Sequence, residues 1–333
     1  MTILVTGAAG FVGAHLMREL HARGESVVGV DNFNDYYSPE LKRARTDALI
    51  PKEVSVIESD LTNNRRVQEI LGDIKPKTIY HLAAQAGVRL NLEKNSMYVD
   101  SNLLGFSNIL TESVKNKVSN FIYASSSSVY GNSTNVPYSE SDFNISPISF
   151  YGATKLSNEF LASALIRGTQ TRARGLRFFT VYGPWGRPDM AYFRLAESLI
   201  NSHEFKLFGN GDAVRDFTYI DDTVQSTIAL GAQLERDQTA GHADVVNIAG
   251  GKPSSMLELI SMFEKISGST LQIKSQDRIE KDVIQTIADS TKLQNLINFI
   301  PKISLEEGVS KVINWGKSEL VSSKIESWTQ SVD

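Results

Sequence analysis

Seven residues close to the N-terminus restrict this chain more than any other stretch. Positions 2–6 read as a short apolar strand, and the backbone then passes through Gly7-Ala8-Ala9-Gly10-Phe11-Val12-Gly13 into a helical pattern carried by Leu16, Met17 and Leu20. Strand, glycine turn and helix in that order make a phosphate cradle. Gly7 permits the tight turn, Gly10 lets backbone amides approach a pyrophosphate, and Gly13 lets helix and strand pack closely, with Phe11 and Val12 opening the helix at its positive end. The spacing is G-x-x-G-x-x-G, one residue wider than the commoner fingerprint. A second strand over 26–30 runs into Asp31. A carboxylate there can accept both ribose hydroxyls and repels a ribose phosphate, which favours NAD over NADP; the plainer role for Asp31 is a loop cap.

The strand-and-helix rhythm continues. The polar segment after Asp31, with Asn32 and Asn34, is expected to frame the adenosine end, and Ser38 ahead of Pro39 marks a helix start. A third strand over 54–58 leads to Asp60 and Leu61, where Asp60 is placed to accept from an adenine amine. A fourth over 78–81 runs into Leu82-Ala83-Ala84, whose small side chains leave room for a flat cofactor. Each of these features is explained as well by packing as by function. Repeated every ~20 to 30 residues, they predict an α/β chain on a doubly wound, Rossmann-type parallel sheet.

A fifth strand over 120–124 delivers the serines at 125–128 to the sheet edge where ligands bind in such folds. Downstream, Tyr151 and Lys155 are four residues apart and share one face of a helix, so the ammonium can sit beside the phenol and stabilise its phenolate. A free phenol titrates at ~10, so neighbouring charge has to lower Tyr151 before it takes a proton at neutral pH. By itself Y-x-x-x-K recurs by chance on solvated helices. Two helices, one over 96–114 with Leu103, Phe106, Leu110 and Val114, the other after Tyr151 with Leu156, Phe160, Leu161, Ala164 and Leu165, each carry two apolar stripes. One stripe covers the sheet; the other meets a second subunit or simply a neighbouring helix.

Composition excludes several chemistries. The 333 residues are 41% hydrophobic and 22% charged, enough for a large core, and a net charge of −4 leaves no basic footprint for nucleic acid. Without cysteine there are no disulfides, zinc-thiolate sites or thiol nucleophiles, which suits a reducing cytoplasm. His15, His21, His81, His203 and His242 lack metal-ligand spacing, so no metal is expected. The N-terminal apolar run enters a glycine loop at once and reads as a strand, neither a signal peptide nor a membrane anchor.

GAAGFVG, Asp31, Asp60, HLAA, ASSSSVYG and YGATK together resemble the extended short-chain dehydrogenase/reductase superfamily over essentially the whole chain. DNFNDYYSPELKRAR, AAQAGVR, RFFTVYGPWGRPDMA and RDFTYIDD resemble its nucleotide-sugar branch, the bacterial UDP-glucuronate 4-epimerases in particular. The resemblance implies an NAD-dependent epimerase acting on a UDP-sugar through a transient 4-keto sugar. Tyr151 would be the base, Lys155 its electrostatic partner and nicotinamide-ribose ligand, and Ser126 the bridging hydroxyl. Arg89, Ser127 and Ser128 would line the sugar pocket. Thr180 and Arg187, around a loop with two glycines and two prolines in ten residues, would approach the sugar. Lys206, Leu207 and Phe208 would flank the uracil, and Arg215 would hold the diphosphate. Arg278 is a second diphosphate candidate, although DRIEKDV stands where the branch usually has a Pro-Gly-Asp-like turn.

Two intertwined lobes follow: residues 1–180 plus 218–249 for NAD, and a smaller, discontinuous α/β lobe of 181–217 plus 250–333 for the nucleotide sugar. A homodimer is expected. Ser128 stands where resembling decarboxylases carry glutamate, the Asp-Glu pair of a 4,6-dehydratase is absent, and no G-x-S-x-G elbow suggests a hydrolase. A UDP-glucose 4-epimerase is the first alternative; a UDP-glucuronate decarboxylase, disfavoured by Ser128, and a non-catalytic NAD-binding protein, disfavoured by intact Ser126, Tyr151 and Lys155, rank below it.

Overall fold

The computed structural model describes residues 2–88, 92–237, 239–278, 283–320 and 328. Strands β1 (Thr2–Thr6), β2 (Ser26–Asp31), β3 (Val56–Glu58), β4 (Thr78–His81), β5 (Asn120–Ser126) and β6 (Arg172–Phe178) are joined by helices α1 (Phe11–Ala22), α2 (Pro39–Leu49), α3 (Asn64–Ile74), α4 (Asn95–Tyr98), α5 (Phe106–Lys115) and α6 (Phe150–Ile166). The second half carries β7 (Thr180–Tyr182), α7 (Ala191–Asn201), β8 (Glu204–Phe208), β9 (Val214–Tyr219), α8 (Ile220–Arg236), β10 (Ala243–Ile248), β11 (Pro253–Ser255), α9 (Met256–Ser267), β12 (Gln272–Gln276), β13 (Gln285–Thr286), α10 (Thr291–Ile297) and α11 (Leu305–Glu319).

Period-two alternation sorts the apolar residues into two cores. Leu4 of β1, Ile79 of β4, Phe121 and Tyr123 of β5 and Ala173 of β6 face α3, α5 and α6, whereas Val5, Tyr80, Ile122 and Leu176 face the side of α1, α2 and α8. The sheet order is β3-β2-β1-β4-β5-β6-β10, every neighbouring pair parallel. Buried on both faces, such strands have to be nearly continuously apolar. The order reverses between β1 and β4, and that crevice lies beside the glycine turn. Smaller sheets form outside it: β9 pairs with β7, β11 and β13, and β8 with β12.

Two expected elements differ from their sequence-based bounds. The helix over 96–114 is interrupted, because Val99–Gly105 winds as a π-helix between α4 and α5. Within it Asn102 is turned inward: its Oδ1 accepts the Gln85 amide at 2.8 Å, and its Nδ2 donates to Gln85 O at 3.1 Å and to Thr154 Oγ1 at 3.1 Å. Those bonds tie the loop after β4 to α6, a use for a π-bulge that apolar periodicity cannot reveal. β3 is shorter than 54–58, spanning Val56–Glu58.

Arg45 of α2 joins the two halves. Fully buried, its guanidinium donates to Ala9 O at 2.8 Å, Trp185 O at 2.7 Å, Gly186 O at 2.9 Å and the Tyr37 hydroxyl at 2.8 Å. The glycine turn and the 185–186 loop are thereby fixed to one planar group. Arg45→Met retains much of the apolar stem and strands these acceptors, so it is expected to lower unfolding free energy by about 3 kcal/mol or more, read from the urea midpoint. A shift below about 1 kcal/mol would mean that water replaces the guanidinium without loss.

Candidate active site

The glycine turn has the shape a pyrophosphate requires. Gly7 has φ +71°, and a Cβ there would lie 2.7 Å from the Leu82 carbonyl carbon and the Ala83 amide nitrogen; one at Gly13 would lie 2.0 Å from Gly7 O. Gly10 caps α1 without any side-chain acceptor, so the positive end of the helix, at Phe11 and Val12, is offered to a ligand. Asp31 ends β2, nearly buried, accepting from Ala9 N at 3.0 Å through Oδ2 and from Phe33 N at 2.8 Å through Oδ1. It is therefore a loop cap, and its remaining lone pairs are available to a ribose as well. Asn32 donates to Asp60 at 2.9 Å. Burial opposes ionisation of Asp60, but hydrogen bonds from Asn32 and Thr62 prevail and hold it below the usual carboxylate range. Asn34 accepts from Lys42 Nζ at 2.7 and 2.6 Å. Leu61 packs in the core, and Leu82, Ala83 and Ala84 are half-buried along the crevice. The residues present thus fit a dinucleotide.

The hydroxyl run meets the tyrosine through close backbone contact. Ser126 ends β5, and its Oγ accepts from Ser128 N at 3.1 Å, starting the 3-10 turn Ser127–Tyr130. Ser149 caps α6 by accepting from Gly152 N at 3.0 Å. A Cβ on Gly152 would stand 2.6 Å from Ser128 O, so only glycine lets the first turn of α6 press against the serine loop. Tyr151 is half-buried. Burial raises its pKa, Asp189 adds to that, and Arg187 and the Ser126 hydroxyl act to lower it.

Lys155 departs from expectation. It shares the helix face with Tyr151, but its Nζ lies 5.8 Å from the ring centroid and donates to Ala124 O at 3.0 Å. The lysine stem carries the charge past the phenol to the end of β5, and burial lowers its pKa to about 8. Arg187, and not Lys155, is the cation that opposes the rise in Tyr151.

Arg187 sits in the loop between β7 and α7, donating to Asp189 from Nε at 2.9 Å and from Nη2 at 2.6 Å. Thr180 opens β7, half-buried. Lys206, Leu207 and Phe208 lie in β8, with Leu207 buried and Lys206 exposed. A Cβ on Gly209, next to Phe208, would stand 3.7 Å from Arg278 Cβ, so the structure brings Arg278 to this segment. Arg215 is placed differently from a free diphosphate ligand: its guanidinium donates to Val214 O, Ile284 O and Val283 O at 2.9, 3.3 and 2.8 Å. Pairing of β9 with β13 brings the Val283 and Ile284 carbonyls to it. Arg89 and residues 279–282 lie outside the described residues.

Sequence reasoning missed Arg45, Asn102, Tyr36 and Asp189. The last two face Arg187, since the Tyr36 hydroxyl donates to Asp189 Oδ2 at 3.2 Å. The signal for Asp189 was its place two residues beyond an arginine in a proline-bounded loop; Tyr36 had none. Among the described residues no three His, Cys, Asp or Glu side chains gather as a metal site, and no helix is long and apolar enough to cross a membrane.

A parallel sheet with this cradle is that of a dinucleotide-binding protein, and the family can be stated. A family model described as the NAD dependent epimerase/dehydratase family matches residues 3–249, and the chain belongs to that family. Protein CapI of Staphylococcus aureus is 38% identical over 327 residues, covering 95% of this chain and 98% of its own. UDP-glucuronate 4-epimerase 3 of Arabidopsis thaliana is 40% identical over 331 residues, covering 94% of this chain and 76% of its own. The UDP-glucuronic acid 4-epimerase from Bacillus cereus, solved in complex with UDP-glucuronic acid and NAD, has a TM-score of 0.87 at 35% identity, covering 96% of this chain and 99% of its own.

Asp31 offers a direct test of the cradle. Asp31→Asn removes the charge that would repel a ribose phosphate, so the preference for NAD over NADP in calorimetric titration is expected to fall by about tenfold or more. An unchanged preference would leave Asp31 as a loop cap alone.

Proposed function

We propose that the protein is an NAD-dependent UDP-glucuronate 4-epimerase, forming UDP-galacturonate. The observation that carries this reading is the Arg187 guanidinium, fixed by Asp189, whose charge acts on the half-buried phenol of Tyr151: a base under the influence of a fixed cation suits a sugar bearing a carboxylate. The relatives support the same substrate class. Gly7, Gly10, Phe11, Val12, Gly13, Asp31, Asn32, Asn34, Asp60, Leu61, Leu82, Ala83 and Ala84 would hold the cofactor, which supplies the acceptor and later the donor of hydride at the sugar C4.

The chain's own part is to orient the sugar and move one proton. Tyr151 Oη takes the proton of the 4-hydroxyl and returns it after the sugar has turned over, so the stereocentre inverts. Ser126 bridges phenol and hydroxyl. Lys155, held at the end of β5, joins Tyr151 as a cofactor ligand. Ser127, Ser128, Thr180 and Arg187 hold the sugar; Lys206, Leu207 and Phe208 flank the base; Arg215 and Arg278 serve the diphosphate, with Arg215 leaving its carbonyls to do so. A 4-keto glucuronate is a beta-keto acid that loses carbon dioxide once the breaking bond aligns with the carbonyl. Holding the carboxylate out of that alignment is therefore part of the reaction.

We read the chain as the two interleaved lobes delimited above, and its cysteine-free composition suits the cytoplasm. Phe160 (67% exposed) and Leu161 (38%) of α6, with Leu104 (46%) of the adjoining π-helix, leave an apolar face that a second copy would cover. Wild type is expected to run as a dimer by light scattering and Phe160→Glu as a monomer; an unchanged mass would place the contact elsewhere.

The substrate reading is tested with UDP-glucuronate and UDP-glucose, products being identified by mass spectrometry. Hydrogen bonds to a charged group contribute roughly 1.5 to 3 kcal/mol, so Arg187→Ala should cost UDP-glucuronate about one to two powers of ten in kcat/KM. UDP-glucose should be affected far less, and some 4-keto pentose should appear. Equal losses on both sugars with no pentose would remove Arg187 as carboxylate ligand.

A further inference from the structure

Arg187 already has a carboxylate. Asp189 takes the Nε and Nη2 corner of its guanidinium side-on, at 2.9 and 2.6 Å, and the Tyr36 hydroxyl braces that carboxylate at 3.2 Å. The cluster is enclosed: the side chains are 25% and 14% exposed, and a Cβ on Gly87 would stand 2.0 Å from the Tyr36 hydroxyl, so the loop after β4 closes over Tyr36. Screening by water and salt is weak in such a place. Nη1 donates to no acceptor among the described residues, so an incoming group can still be bound at that corner without breaking the pair.

An arginine so paired recognises a ligand differently from a bare one. A bare buried cation makes a neutral hexose costly, because the charge is desolvated and left unpaired, and strongly favours a carboxylate. A paired cation presents nearly zero net charge. A neutral hexose then meets no unpaired charge, while a glucuronate adds a second anion beside Asp189, and like charges oppose one another.

We propose that Asp189 is a positioning residue that sets the selectivity between acidic and neutral sugars, by pairing with and neutralising Arg187 and so moderating the preference for a carboxylate. This rests on the reading of Arg187 as the carboxylate ligand. Its consequence runs against intuition: deleting an acidic residue close to the catalytic tyrosine should sharpen the recognition of an acidic substrate. A residue that only shapes the loop would, when changed, weaken both substrates or the acid alone.

The experiment measures kcat and KM of the NAD-loaded enzyme with UDP-glucuronate and with UDP-glucose. Asp189→Asn keeps the size and one acceptor oxygen for Arg187 and Tyr36, and is expected to raise the acid-to-neutral ratio of kcat/KM by about tenfold or more, chiefly through KM. Asp189→Glu keeps the charge, and its ratio is expected to stay within about threefold of wild type. Asp189→Ser is the second route to the same loss of charge should the asparagine variant fail to bind UDP as wild type does. A ratio that is unchanged or falls in the neutral variants, or that rises equally in Asp189→Glu, overturns the proposal. Arg187→Ala in the same assay separates the two readings: acid-selective loss there with no gain in Asp189→Asn refutes only the role of Asp189, whereas equal loss on both sugars refutes the carboxylate ligand itself.

Discussion

One planar cation, the guanidinium of Arg45, sets the spacing on which the site depends. A fully buried arginine is tolerated when its donors are used, and here they end on Ala9 O, Trp185 O, Gly186 O and the Tyr37 hydroxyl. These acceptors belong to the glycine turn, to the segment just before α2 and to the loop that carries Arg187. Because a guanidinium is rigid, the distance between turn and loop cannot drift far without losing hydrogen bonds. Trp185 itself has φ +62° and packs against Trp315 and Trp328, so the loop is gripped from both sides.

A second buried network supports the serine loop from behind. Arg177 of β6 pairs side-on with Glu159 of α6 at 2.9 and 2.7 Å, Ser125 donates to the same carboxylate at 2.5 Å, and Arg177 Nη1 donates to the Tyr130 hydroxyl at 2.9 Å. Tyr130 then donates to Asn247 of β10 at 2.7 Å and stacks on Tyr138, whose backbone binds Ile287. The loop bearing Ser126, Ser127 and Ser128 is thereby tied to the last strand of the main sheet and to residues near β13. Such ion pairs contribute little net stability once desolvation is counted, and what they provide is a defined position.

Much of the architecture was legible locally. Period-two strands, the glycine spacing and the aspartate that ends β2 are short-range patterns with one steric solution each, and the serine run and Y-x-x-x-K were found as motifs. The interruption at Val99–Gly105 was not legible, because Asn102 looks like any polar residue on a helix until Gln85 and Thr154 are beside it. The direction of the Lys155 ammonium was equally hidden. A four-residue spacing specifies a shared face, while the carbonyl of Ala124 that captures the charge comes from another element.

The sequence by itself determined the sheet, the cradle and the identity of the hydroxyl, phenol and ammonium groups at its edge, since those follow from backbone geometry within a few residues. Only the tertiary structure decided which charges pair. Arg45 meets its acceptors 36 and 140 to 141 residues away, and Tyr36 meets Asp189 at a separation of 153. The field at Tyr151 comes from Arg187 and Asp189, brought there by chain crossings. Electrostatic energy depends on distance and burial in space, and neither is encoded in the order of residues near the group that feels it.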